Sequence, residues 1–290
     1  MKPSGSWLHA DLLILIAMAI FGSYALFLRL APDIPSLTFL FAGQITGAIG
    51  FYFVGRVYLC VRLTRRDLGY YLALAVVGVG LDLTAFVAYR LTDVANVALG
   101  QQSVSIFLLV LAPIFLGERT TRREWIALVP SLAGLVLVYW GKTSLSRADL
   151  AGCGLALVAG LLYAILIILY RVIPDARRGV TVHTASFWRY AFSTLLMLPL
   201  LPFMRLGSLD AADIGVLAGF GTLFLVLGTM LYIIGVERTR AVHASIIGKT
   251  LPVFAIVYAF AFLDEAPSTT AIIGGALILG ASIWLAVQRE

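Results

Sequence analysis

Charge is what this sequence has least of. Only 12% of its 290 residues are Asp, Glu, Lys or Arg, where a soluble domain carries about a quarter. That deficit excludes a surface turned mainly toward water. The net charge of +6 does not point to nucleic acid, because no Lys/Arg-rich stretch alternates with aromatics, and no such partner is expected. Cysteine is equally scarce: Cys60 and Cys153 show no redox or metal spacing. His9, His183 and His243 lack the i,i+4 partner of a helical metal site. An enzyme would need a convergent acid/base or metal set. None is visible, so neither catalysis nor a metal or cofactor is expected.

What the chain has instead is apolar length. It is 61% hydrophobic, with a mean hydropathy of +0.99. A spanning helix needs roughly 20 mostly apolar residues. Ten segments qualify: 12–28, 36–55, 68–89, 94–116, 125–141, 150–170, 182–204, 214–236, 241–263 and 268–287. Barrel strands would alternate apolar and polar residues, whereas these runs are continuous, and a helix satisfies its backbone internally. The expected fold is an all-α polytopic membrane protein with ten transmembrane helices. The connecting loops are too short to hold a soluble domain. The first run lacks a small-residue cleavage site before a soluble domain, so it reads as a span rather than a removed signal. With the N-terminus inside, inner loops hold fourteen Lys and Arg and outer loops five; the other two, Arg189 and Lys249, lie within segments. That asymmetry predicts a cell (inner) membrane protein with both termini cytoplasmic. Cys60 and Cys153 then fall near opposite faces, which argues against a disulfide. Trp7, Trp125 and Trp140 lie near run ends and read as interfacial anchors.

The chain also repeats itself. A shift of 147 residues places Glu118 on Glu265, Leu116 on Leu263, Phe107 on Phe254 and Thr92 on Thr239. A weaker shift of 145 sets Gln44 beside Arg189. The halves are 1–143 and 144–290, each with five helices. An odd number makes the second half enter from the opposite side, giving an inverted repeat with a substrate site near the midplane.

Two helices end in similar turns, Leu116-Gly117-Glu118 and Leu263-Asp264-Glu265, and each precedes a Gly/Ala-rich helix, Trp125–Gly141 and Ser268–Val287. In this the whole chain resembles the drug/metabolite transporter (DMT) superfamily, specifically its EamA branch. The resemblance implies ten helices, a central cavity, alternating access, and export or exchange of amino acids, other metabolites or drugs. Pro252 matches the family's ninth-helix proline. Ser105 stands at the equivalent first-half position, and Gln44 stands where the family would place an arginine. Lys249 is not typical of that branch and is similar to the ninth-helix lysine of the related sugar-phosphate and nucleotide-sugar transporters.

Within the runs only Asp82, Arg189 and Lys249 are strongly charged, each costing about 2.5–3.5 kcal/mol at a helix centre. In the repeat Lys249 corresponds to Gln102 and Arg189 to Gln44. Brought to one cavity, they would form a cationic wall and an amide wall, suited to a carboxylate or phosphate. An amino group would use Asp82 or the faces of Phe86 and Tyr89. The alternatives are structural. Asp82 pairs with Lys249 or Arg189 as glue, and Arg189, near the start of its segment, snorkels to the cytoplasmic face; for Arg189 that structural reading is favoured. Asp82, deep in its run, is the internal candidate for proton coupling, which exchange would not need. Pro252 opposes the carbonyl of Gly248, giving either a loosened turn beside Lys249 or a packing kink. Glu118 and Glu265, at helix ends, read as structural or gating residues. Gly43, Gly47, Gly274, Gly275 and Gly280 read as close-packing positions. The expected function is a secondary transporter, exporter or exchanger, of a small polar metabolite such as an amino acid, with an organic anion or phosphorylated metabolite as the alternative. Its partners are that small molecule and the lipid bilayer, and monomer and homodimer both stay open.

Overall fold

The structure, a computed structural model, describes residues 5–58, 65, 67–117, 122–140, 146–171, 182–204, 206–238 and 247–287. Cys60, Glu118 and His243 lie outside them. The regular elements among the described residues are all helical. They are α1 (Gly5–Gly22), α2 (Tyr24–Leu30), α3 (Ser36–Tyr58), α4 (Leu68–Leu91), α5 (Val94–Gly100), α6 (Val104–Leu116), α7 (Arg122–Trp140), α8 (Arg147–Arg171), α9 (Val182–Met197), α10 (Ala211–Phe220), α11 (Thr229–Arg238), α12 (Leu251–Leu263) and α13 (Thr269–Val287). Six stretches are long and apolar enough to cross a membrane: Ala10–Arg29, Ser36–Val54, Leu68–Leu91, Val94–Leu116, Arg147–Tyr170 and Ala211–Tyr232. Shorter apolar helices cover Leu128–Leu137, Leu251–Leu263 and Thr269–Ala281. The chain is thus a multi-pass helical membrane protein.

Several expected spans are broken rather than straight. The fourth splits at a 3₁₀ turn, Gln101–Ser103, just after Gly100, a weak helix former. The ninth is a turn at Lys249-Thr250 before α12 begins. Pro252 lies in the first turn of α12, where a missing N–H costs nothing because that donor has no helical partner anyway. Shifted by 147 residues, Gln101–Ser103 falls on Gly248–Thr250, so both breaks occupy one repeat position although Ser105 replaces the proline. The C-caps repeat as well. Gly117 (φ 66°) and Asp264 (φ 54°) are both left-handed, the turn that closes a helix through its freed carbonyls. In the eighth span, residues Gly221–Gly228 wind as a π-helix between α10 and α11.

Packing between elements follows the same pairing. α4 lies on α8, and α1 on α11; α3 meets α9, and α7 meets α13. α3 also contacts the π-helical segment as α4 contacts α9, and α1 and α2 contact α12 as α5 and α6 contact α8. Under the 147-residue shift each of these pairs has a counterpart, whereas the α2–α4, α3–α4 and α5–α7 contacts have none of similar extent among the described residues. Small residues make the closest approaches. An added Cβ at Gly47 would sit 3.0 Å from the Tyr190 ring, and one at Gly134 would sit 2.5 Å from the Gly274 carbonyl. Gly43 faces Leu225 and Gly275 faces Leu99. Gly280 departs from the expectation, since nothing lies within 4 Å of its added Cβ. Trp125 is exposed at the start of α7.

The main core is an aromatic plug. Phe220 and Phe224 stack at 5.0 Å, Tyr24 meets Phe86 at 4.9 Å, and Phe39 meets Phe220 at 5.5 Å. These rings come from α2, α3, α4, α10 and the π-helical segment, so one cluster ties the two halves together.

Candidate functional site

The break before α12 sets Lys249 on a turn, and the break between α5 and α6 brings Gln102 and Ser105 toward it. Lys249 Nζ donates to Ser105 Oγ at 2.8 Å and to Gln102 Oε1 at 3.4 Å. Lys249 and Gln102, which the 147-residue shift sets on one another, are in contact. Both partners are neutral, and among the described residues no carboxylate pairs with this ammonium. The turn is held locally: Thr250 N donates to Ile247 O at 2.9 Å, and Thr250 Oγ1 donates to the same carbonyl at 2.6 Å. Beside it Gly248 faces open space, with nothing within 4 Å of an added Cβ.

That space yields a first prediction. Gly248→Ala should leave stability unchanged or raise it by up to about 1 kcal/mol, because the methyl meets no protein atom. Transport should fall several-fold if cargo occupies the space, as measured by initial uptake rates in proteoliposomes beside melting curves. Wild-type uptake would show that cargo does not enter there.

A second polar cluster crosses three helices. Asp82 Oδ2 on α4 accepts from Gln44 Nε2 on α3 at 3.0 Å and from Arg189 Nη2 on α9 at 3.2 Å. The Asp82 and Arg189 side chains are 18% and 9% exposed, and Gln44 is fully buried. Arg189 lies 4.9 Å over the Tyr190 ring, a cation–π contact, with Tyr170 within its electrostatic reach. Its guanidinium rests on Gly78, where a Cβ would collide with it. The snorkelling expected of Arg189 is therefore corrected: the side chain turns inward to an ion pair and an aromatic face. Of the pairings weighed for Asp82, the structure makes the one with Arg189 and not the one with Lys249. Arg189 Nε and Gln44 Oε1 remain buried without a partner.

Glu265 lies elsewhere, at the end of the ninth span. Its Oε2 accepts from Val94 N at 2.9 Å, capping the first turn of α5, where a carboxylate is favoured by the helix dipole. Its Oε1 lies 3.3 Å from Arg29 Nη2, and the same nitrogen donates to Thr92 O at 2.8 Å. One residue thus ties the second half to the first at that face. Phe86 and Tyr89, expected to offer free faces, are 2% and 3% exposed inside the aromatic plug. Both lie against Tyr24, at 4.9 and 5.5 Å, so their faces are already taken.

Sequence reasoning missed Ser105, Gly78 and Tyr170. The signal for Ser105 was its spacing, one helical turn from Gln102 on the same side. Gly78 precedes Asp82 by four residues and so shares its face of α4. Nothing in the sequence marked Tyr170 among twelve tyrosines. Among the described residues no group of His, Cys, Asp and Glu could hold a metal ion.

Comparison with known proteins adds to this geometry. The family model of the EamA-like transporter family matches residues 8–140 and again 150–287. An uncharacterized transporter of Archaeoglobus fulgidus is 26% identical over 273 residues, covering 93% of this chain and 94% of that protein. An uncharacterized transporter of Clostridium kluyveri is 23% identical over 228 residues, 77% of this chain and 73% of the relative. One solved crystal structure superposes with a TM-score of 0.69 at 17% identity, covering 97% of this chain and 98% of its own, a likeness of fold.

Proposed function

The chain belongs to the EamA-like transporter family, and we propose that it is a ten-span secondary transporter that moves a small organic anion by alternating access. Its two inverted halves would be 1–143 and 144–290, with both termini in the cytoplasm and the protein in the cell (inner) membrane. Support for the halves comes from the doubled family match, the two equivalent breaks and C-caps, and the helix pairs that have counterparts under the shift, such as α4–α8 with α1–α11.

The observation that carries the cargo class is the company Lys249 keeps. Asp82 and Arg189 neutralise one another, while Lys249 contacts only neutral groups. The deep charges of the described residues therefore sum to one positive. A monoanion supplies the charged partner that Lys249 lacks, with Gln102 and Ser105 orienting its oxygens; a charge-assisted bond of this kind is roughly twice as strong as a neutral one. The ammonium of a zwitterionic amino acid would find no partner here, because Asp82 is already taken by Arg189. The geometry thus favours an organic anion over an amino acid.

The test is a melting-temperature screen of purified protein with acetate, glycolate, succinate, inorganic phosphate, glycine and alanine, because a ligand of the folded state stabilises it. Stabilising compounds then go into proteoliposome uptake assays. Anions should raise the melting temperature and be transported. Stabilisation and uptake confined to the zwitterions would overturn the assignment.

A further inference from the structure

The polar cluster on α4 is built in a way that a purely structural ion pair does not require. Arginine–carboxylate pairs that lock helices together are frequently bidentate. Here Arg189 spends one nitrogen on Asp82, and Asp82 uses a single oxygen, Oδ2, for both Arg189 and Gln44. Arg189 Nε and Gln44 Oε1 are left buried and unpartnered. Such orphans cost free energy, and a half-satisfied network is a poor fastener. It suits groups that change partners.

The groups around Asp82 narrow the chemistry. Tyr24 from α2 lies within electrostatic reach of Asp82, Tyr89 and Arg189. Tyr190 on α9 and Tyr170 on α8 flank Arg189, and Tyr163 of α8 also lies within its reach. α3 supplies Gln44, and α5 carries no titratable side chain. A guanidinium keeps its proton in proteins, and phenols titrate near 10. Asp82 is the one carboxylate in this set.

We propose that Asp82 binds and carries a proton, and that Arg189 is held in turn by the Asp82 carboxylate and by the anionic group of the cargo. This rests on the transport reading but not on the role given to Lys249. In the loading step hydronium gives its proton to an Asp82 carboxylate oxygen: one hydronium O–H bond breaks, leaving water, and a carboxyl O–H bond forms. The ion pair to Arg189 breaks, and the guanidinium, still charged, takes the cargo anion. On the other side the cargo leaves, Arg189 returns to Asp82, and the same proton goes back to water. Empty carrier holds Asp82 negative with Arg189 and Lys249 positive. Loaded carrier holds neutral Asp82, the same two cations and one monoanion. The two forms bear equal charge, so cotransport is electroneutral and its direction follows the combined proton and anion gradients.

The probe is isethionate, a sulfonate monoanion that stays ionised throughout and cannot ferry a proton by itself. In proteoliposomes containing a trapped pH dye, its entry should acidify the lumen by about one proton per anion, and an imposed membrane potential should not change the rate. D82N should exchange isethionate without acidification, and D82E should keep the coupling. Entry without acidification in wild type, or an undiminished proton ratio in D82N, overturns the proposal. Infrared titration of the cargo-free protein decides independently of transport. A carboxylic-acid band that titrates across the physiological pH range in wild type and is missing in D82N supports proton binding; its absence from wild type overturns it, whether or not D82N folds. K249A separates the two readings, because it should stop isethionate movement and leave that titration intact.

Discussion

Replacing Lys249 with alanine should cost about 100-fold in transport of an anionic cargo while leaving the protein as stable as before or more so. The two effects have opposite signs for one reason. An ammonium in the middle of a span costs about 2.5–3.5 kcal/mol, and Lys249 recovers part of this through two neutral contacts, to Ser105 and Gln102. Removing it relieves that cost, and Ser105 and Gln102 remain free to bond each other or water. Cargo, by contrast, loses its one charged partner at this turn. A hydrogen bond to a charged group contributes about 1.5–3 kcal/mol, which spans roughly 10- to 100-fold in affinity; the upper end applies because no other described cation faces the turn. Lys249→Arg should recover only part of the rate, since a planar fork does not fit where a point charge contacts two acceptors. Uptake and melting curves on the same preparations check both halves. A Lys249→Ala protein that moves anions at the wild-type rate would remove the cationic wall from the account. One that fails to fold would make Lys249 a structural residue.

How much of this was readable beforehand differs residue by residue. That Lys249 and Gln102 belong together was legible, because both lie in apolar runs at matched positions of a repeat, and a polar residue in lipid is costly enough to mark itself. Gln44 and Arg189 were set side by side only by a weaker alignment, and the structure joins them through Asp82. The sequence could not show that Asp82 stands between them, since a helix pattern gives a residue's face and depth but not which neighbouring helix supplies its partner. The direction of Arg189 was misjudged on similar grounds. Its distance from the segment start allowed snorkelling, and only Gly78 on α4, by leaving room for a guanidinium, decides for the interior. The breaks were half legible. Pro252 signalled the second, but Gln101–Ser103 has no proline, and its turn is held by packing against α8. Phe86 and Tyr89 were misread because an aromatic in an apolar run looks the same whether it faces cargo or three other rings.

Arg189→Ala should destabilise the protein by about 3–5 kcal/mol, the cost of stranding one member of a buried pair. Asp82 and Gln44 would stay behind, and the cleft over Gly78 would lose its occupant. The apparent melting temperature should fall on the order of 10 °C. The informative comparison is the double variant. With Asp82→Ala added, no unpaired charge remains, and more than half of the lost stability should return, because well-packed apolar replacements of a buried pair are often close to neutral. A third variant isolates geometry from charge. Gly78→Ala retains both ions but places a methyl where the guanidinium lies, so it should act like a partial Arg189 deletion, and adding it to Arg189→Ala should cost little more. That non-additivity, measured as a double-mutant cycle, separates an interior Arg189 from one that reaches for the membrane surface. A surface-directed arginine would give a loss within about 0.5 kcal/mol and simple additivity with Gly78→Ala. Either result on its own would place the guanidinium outside the bundle and dissolve the link between α4 and α9 on which any partner exchange at Asp82 depends.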